Sequence, residues 1–325
     1  MVKNAQQKEV KMKKRSPTVR MIMATVIVLI LTAVVLAGSA FSAQKIVLKK
    51  YPDLKIGFTT TNFLKFLPVS VESTKKLIDF ASDQGFPWIE LRDPSATLTL
   101  NECQQIAAYA ESKKIEVSYA LQIGLLDSTF GEIFFRGLAN AAVFKGPETI
   151  RTLAAGAEFG DNPKKTAWTL KELFRAVKVA NFAGNQARAA GLKYVAENAF
   201  EAIKGDGLSS YGLTEFFANV NSNVFWQFDT ANFFATSRVY TKPEDARAFL
   251  EKHAARMPYI HAKTSSKEHK PLPYLEDNEL DFDIIFSALA KHKVSYVALE
   301  LVPGNTVEET YANHKKSVEY LLKNF

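Results

Sequence analysis

The stretch Val224–Phe234, V-F-W-Q-F-D-T-A-N-F-F, decides the reading of this chain. A run of apolar and aromatic residues enters a single carboxylate, Asp229, and then breaks into polar sequence. A strand that ends on a charge needs a reason, because an unpaired buried carboxylate is costly. The pattern recurs three times: L-K-Y-V-A ends on Glu197, P-Y-I on His261 and S-Y-V-A-L on Glu300. These four residues stand 32, 32 and 39 positions apart, each gap about one strand-plus-helix unit. Four residues of metal-binding type at the ends of four successive strands are what a parallel barrel gathers around one ion.

Outward from that stretch the alternation is regular. Strands are expected at 55–59, 88–93, 115–121, 149–156, 193–198, 224–229, 259–263 and 295–301. Helices are expected between and after them, at 71–85, 98–114, 130–144, 168–190, 213–220, 243–256, 281–292 and 306–325. The loops at 157–168 and 264–280 are long for a βα connection, and the first is placed to cover a pocket. The α/β pattern over residues 55–325 suits a (β/α)8 TIM barrel, typically about 250 residues. No G-x-G-x-x-G follows a strand and no Walker-type phosphate loop occurs, which removes the main nucleotide-binding signals.

The chain of 325 residues carries a net charge of +7, but the charge is not evenly spread. Residues 1–20 hold seven basic residues and one acid, so the remainder is nearly neutral and offers no charge-based case for nucleic acid. Behind this basic tail, Met21–Phe41 is uncharged and long enough to span a bilayer. Residues 21–43 read as a signal-anchor helix or as a cleaved signal peptide with small residues around Gly38–Ser42. Both readings place the body in an exported compartment, membrane-anchored in one case and free in the other; residues 44–54 are a polar linker. Cys103 is the only cysteine, so no internal disulfide forms, and its helical surroundings mark it as a buried small hydrophobe.

Two Glu, one Asp and one His form a hard, oxygen-rich set that suits Mn²⁺ first, with Mg²⁺, Co²⁺ or Zn²⁺ as alternatives. Such an ion can polarise a carbonyl and hydroxyl pair on a substrate, and carboxylates on opposite strands can move the proton between them. Lys263 follows His261 by two residues and so shares its strand face, as a substrate ligand or a solvated lysine. Arg92 and Glu90 share a face of the second strand, as substrate ligands or an internal ion pair. Trp226 and Phe228 point away from Asp229, under the helices. His253, His269, His292 and His314 are expected at the surface.

These residues resemble the xylose isomerase-like TIM barrel superfamily of sugar (phosphate) isomerases and epimerases, nearest in pattern to its ketose 3-epimerase and hydroxypyruvate isomerase branch. The family order Glu, Asp, His, Glu matches Glu197 in A-E-N, Asp229 in F-D-T, His261 in H-A-K and Glu300 in L-E-L. The second-strand W-I-E-L and the segment P-L-P-Y-L-E-D-N-E-L-D-F are similar to family segments as well. The resemblance implies a metal held by Glu197, Asp229, His261 and Glu300. It implies Glu197 and Glu300 as the proton-handling pair, and a small carbohydrate held by Lys263, Asn232, Arg92 and Glu90. Three departures stand out: Ala199 and Asn232 occupy positions where such epimerases often carry His, and Thr264 one where Asp is common. Relatives that cleave DNA need further histidines on earlier strands, and strands two and three contain none. The expected activity is a sugar isomerase or epimerase. A lyase or hydratase on keto-sugars and a non-catalytic carbohydrate-binding barrel are the alternatives.

Overall fold

The computed structural model describes residues 45–156, 165–199, 201–232, 241–266, 268 and 270–325, and residues from Ala43 onward form one compact unit. The basic tail and the apolar run 21–43 lie outside the described residues. So do His269 and most of the pocket-covering loop. Among the described residues no helix is long and apolar enough to cross a membrane.

Eight parallel strands close on themselves in sequence order. They are β1 (Lys55–Thr59), β2 (Trp88–Arg92), β3 (Glu116–Gly124), β4 (Thr149–Leu153), β5 (Lys193–Glu197), β6 (Val224–Asp229), β7 (Tyr259–Ala262) and β8 (Tyr296–Leu299). The helices outside them are α1 (Val71–Gln84), α2 (Leu100–Ser112), α3 (Phe130–Ala141), α4 (Leu170–Ala189), α5 (Leu213–Asn219), α6 (Pro243–His253), α7 (Phe282–Lys291) and α8 (Val307–Asn324). The (β/α)8 barrel is therefore present, with strand and helix positions close to those expected. β3 runs three residues further than expected and β4 stops three earlier. The two backbones meet where Gly124, the last residue of β3, faces Gly156 beyond the end of β4: a Cβ on Gly124 would lie 2.2 Å from the Gly156 nitrogen.

Helix starts follow local chemistry. Thr99 with Glu102 and Thr169 with Glu172 form complete capping boxes at α2 and α4. At α8 the Thr306 hydroxyl caps the Glu309 N–H, while the Glu309 carboxylate reaches Asn305 N–H at 2.7 Å rather than closing a box on Thr306.

Strand alternation divides the apolar residues into two cores. Ile56, Phe58, Ile89, Leu91, Ile150, Trp226, Phe228, Val297 and Leu299 face outward and pack beneath the helices. Trp226 and Phe228 thus lie where the sequence puts them, and Cys103 is buried in the same layer. Trp88, Val195, Tyr259 and Ala298 face inward, with Phe225 and Tyr296 against them. Gly57 makes room for this inner plug, since a Cβ there would sit 2.5 Å from the Trp88 indole nitrogen. Below the plug, Lys55 donates to Glu116 at 2.7 Å and the Tyr296 hydroxyl donates to Glu116 at 2.6 Å. The interior is filled from the strand starts upward by this plug, which leaves space for a shared site only above it, toward the strand ends.

Two histidines expected at the surface are buried. His253 closes α6 against Phe249, with ring centroids 4.5 Å apart, and burial pushes its pKa down to about 4. His314 is fully enclosed on α8, stacked on Phe63 at 5.0 Å. Its Nδ1–H donates to the Thr310 carbonyl at 2.7 Å and its Nε2 accepts from Asn62 at 2.9 Å. The reason is the inward face of α8, built from Thr310, His314, Ser317 and Leu321, a mostly polar stripe that hydropathy does not mark as core.

Candidate metal centre

Glu197 and Asp229 are the last residues of β5 and β6, His261 is the third residue of β7, and Glu300 directly follows β8. One donor atom from each lies within 4.8 Å of all the others. The convergence comes from register: Asp229 pairs with His261, and Glu197 lies beside Gln227, two residues before Asp229. Spacing in sequence becomes proximity because every interior position two residues on moves one layer up the barrel.

The backbone presents each donor. Asn198 clamps the Asp229 peptide, accepting its N–H at 2.8 Å and donating to its carbonyl at 3.1 Å. Asp229 Oδ1 accepts the N–H groups of Ala231 and Asn232, both at 3.0 Å. That leaves Oδ2 turned to the centre, 3.9 Å from His261 Nδ1. The same Nδ1 lies 2.8 Å from Glu300 Oε2 and 3.2 Å from Glu197 Oε1. His261 Nε2 is engaged from the other side, 3.0 Å from Glu90 Oε2.

Glu90 is the floor of the site. Its carboxylate is fully buried. It also accepts from Tyr259 at 2.7 Å, Thr59 at 2.8 Å, Arg92 at 3.2 Å and Arg151 at 3.4 Å. The Glu90–Arg92 pair is therefore an internal ion pair. Arg92 extends further to Glu300 at 3.4 Å. Lys263 is buried and bridges the open side, 3.0 Å from Glu300, 3.5 Å from Asp229 and 3.4 Å from the Asn232 side-chain oxygen. Asn232 itself donates to the Asn198 carbonyl at 2.8 Å.

Arg151 on β4 was not singled out from the sequence. It is fully buried, 2.6 Å from Glu197 Oε2, and donates to the Leu121 carbonyl at 3.1 Å. Its signal was there: an arginine in the middle of T-I-R-T-L, between residues that face the helices, has to point into the barrel.

Three buried carboxylates, Glu90, Glu197 and Asp229, and the slightly exposed Glu300 thus meet three permanent cations, Arg92, Arg151 and Lys263. The imbalance appears in the proton affinities. Burial alone would lower His261, but Glu90, Glu300 and Glu197 outweigh it and hold the imidazole well above its ordinary range. Burial would raise Glu90 and Glu300, yet His261 with Arg151 brings Glu90 to about 2, and Lys263 with His261 holds Glu300 well below the carboxylate range. Asp229 goes the other way, pushed up to about 6 by burial and by the neighbouring Glu300 and Glu197 charges, against Lys263.

The donor set fits a divalent ion on an independent ground. His261 Nδ1 is buried and makes no hydrogen bond of acceptable geometry, although three carboxylates surround it. Glu90 on the other ring nitrogen is the carboxylate–histidine arrangement that orients a ligating imidazole. Glu197, Asp229, His261 and Glu300 would hold the ion.

Fold and site together define a (β/α)8 barrel with a buried carboxylate–histidine centre at its C-terminal mouth. No family model matches the chain, and no curated protein matches it. Solved structures of the same fold include an L-ribulose 3-epimerase, 16% identical, with a TM-score of 0.62 over 83% of this chain and 95% of that one. Another is a xylose isomerase-like TIM barrel protein from Mycobacterium smegmatis in complex with magnesium, 17% identical, with a TM-score of 0.61 over 83% and 97%. A third is the D-psicose 3-epimerase of Clostridium cellulolyticum H10 with D-tagatose, 14% identical, with a TM-score of 0.57 over 83% and 96%. The chain shares the fold of the xylose isomerase-like barrels, as its strand-end residues imply.

Proposed function

We propose that this chain is a divalent-metal-dependent isomerase or epimerase acting on a sugar or related keto-polyol. The observation that carries the reading is the meeting of Glu197, Asp229, His261 and Glu300 within 4.8 Å, with His261 Nδ1 buried among three carboxylates and in no well-formed hydrogen bond. The epimerases of the same fold act on ketoses, and one relative holds magnesium. Mn²⁺ is the first choice of ion here, with Mg²⁺, Co²⁺ and Zn²⁺ behind it. When bound, the ion would polarise a carbonyl and hydroxyl pair and offset the negative charge that develops on proton loss.

The chain's own groups divide the remaining work. Glu197 and Glu300 flank the centre from β5 and β8; one carboxylate takes the substrate's carbon-bound proton and the other returns one. Arg151 fixes Glu197, while Lys263 and Arg92 fix Glu300, so neither base swings away from its target. Lys263 and Asn232, which meet on the open side of the centre, are the groups placed to face substrate oxygens. Epimerisation returns the proton to the opposite face of the same carbon, isomerisation to its neighbour.

The alternative, lyase or hydratase chemistry on keto-sugars, draws on Ala199 and Asn232, which offer no proton-transfer group where related epimerases carry histidine. One experiment separates the readings: metal analysis of the purified barrel, followed by product analysis on a panel of ketoses and 3-keto-glycosides. Metal-dependent interconversion of ketoses supports the proposal; elimination products from the glycosides support the alternative; neither metal nor turnover leaves a binding barrel. Export of the barrel is part of the same reading and rests on the basic tail and apolar run of residues 1–43. A reporter fused after Phe325 that is active only in the cytoplasm would remove it.

A further inference from the structure

The outer face of α4 carries an unusual set of side chains. Leu170, Phe174 and Phe182 are 48%, 59% and 47% exposed and lie on one oblique i, i+4 row of the helix, with Lys178 between the two rings. Phe135 on the neighbouring α3, 46% exposed, reaches across to Phe182 with ring centroids 5.9 Å apart. Four large apolar side chains on adjacent elements are more than the scattered singles that any surface shows.

Their setting is cationic. Lys171, Arg175 and Lys178 are exposed among them, and none forms an ion pair among the described residues. The one acid on α4, Glu172, is spent on Lys165 and on the helix cap. On α3 the Glu132 charge is cancelled by Arg136 at 2.8 Å. The face thus joins aromatic rings to uncompensated Lys and Arg on one convex helix surface.

We propose that the α4 face, with Phe135 of α3, docks on an anionic phospholipid surface. The rings enter the headgroup region, and the long cations lie alongside them with their charges at the phosphates. Charge complementarity selects this occupant. A second copy packed α4 to α4 would oppose Lys171, Arg175 and Lys178 with themselves. The inference is independent of the reaction at the strand ends.

The test uses residues 43–325, a compact unit with a closed sheet and its own two cores, so that the preceding apolar run does not bind vesicles itself. Cosedimentation is measured with phosphatidylglycerol-containing and with pure phosphatidylcholine vesicles. Binding to the first is expected, falling with added salt. Replacing Lys171, Arg175 and Lys178 together by Gln should weaken it by about a hundredfold, at roughly fivefold per cation. Phe174→Ser with Phe182→Ser should weaken it about tenfold at unchanged charge. All five positions are exposed, and circular dichroism checks that the barrel is intact. No binding to anionic vesicles, equal binding to both kinds, or binding that ignores both sets of substitutions overturns the proposal. A lipid-free dimer that Phe135→Ser and Phe182→Ser dissociate also overturns it and gives the face to a second copy.

Discussion

Arg151→Met is the most informative single perturbation of the centre. The substitution roughly keeps the volume and removes the cation that lies 2.6 Å from Glu197 and 3.4 Å from Glu90, where none of the three side chains is more than 3% exposed. Breaking a buried pair from one side strands a charge, at about 3–5 kcal/mol. Here two carboxylates lose their partner, but Glu90 keeps Tyr259, Thr59, Arg92 and His261, so the loss falls mainly on Glu197. Urea unfolding at neutral pH, followed by circular dichroism, should therefore show a loss of about 3–5 kcal/mol at unchanged m-value. Glu197→Gln in the Arg151→Met background should restore part of it, because a neutral amide needs no counter-charge. A coupling of roughly 1–3 kcal/mol is expected from that double-mutant cycle. A loss under about 1 kcal/mol, or strictly additive substitutions, would refute the view that Arg151 holds Glu197 in place.

Three more outcomes follow from the geometry. Glu90→Gln should weaken divalent-metal binding by about 10–100-fold in calorimetric titration, because His261 loses the carboxylate that fixes its ring; unchanged affinity would place Glu90 outside the centre's support. Glu197→Gln and Glu300→Gln should each lower the turnover rate by more than ~100-fold, and an active variant at either position would remove that residue from proton transfer. His314 is held neutral, its pKa lowered to about 4 by burial against the Thr310 hydrogen bond, so its contribution to stability is complete above about pH 6.5 and fades as pH falls toward 4. The unfolded chain binds the proton first, and the shift costs about 2 kcal/mol between pH 7 and pH 5; His314→Gln should reduce the slope of the stability profile over that window, leaving the part due to the similarly lowered His253, and an unchanged slope would contradict the assignment.

The barrel was legible because its two periodicities do not overlap: strands close to their observed positions ended on charges or turns, and helices of ordinary length lay between them. The four clustered residues Glu197, Asp229, His261 and Glu300 were legible for a related reason. A buried strand that ends on Asp229 or Glu300 has no local use for the charge, and the same order on four strands names a shared site. Arg151 escaped because it lies within a strand rather than at its end. Its value depends on Glu197, next door on β5, and on Glu90, two strands away in the barrel. Glu90 was noticed, but its five partners come from β1, β2, β4 and β7, a convergence that no local pattern encodes. His314 and His253 were misplaced because polarity was taken as exposure. Both sit where a ring is needed, one between Thr310 and Asn62, the other against Phe249.

The central claim is that the strand-end carboxylates move a substrate proton with the help of a divalent ion. Its most direct test is turnover of the ketose panel in D₂O, with the purified protein supplied with Mn²⁺ and, in parallel, treated with chelator. The account predicts product carrying deuterium at the reacting carbon in the metal-supplied sample and none formed after chelation. Product formed at equal rate without metal, or metal-dependent product free of deuterium, would contradict it.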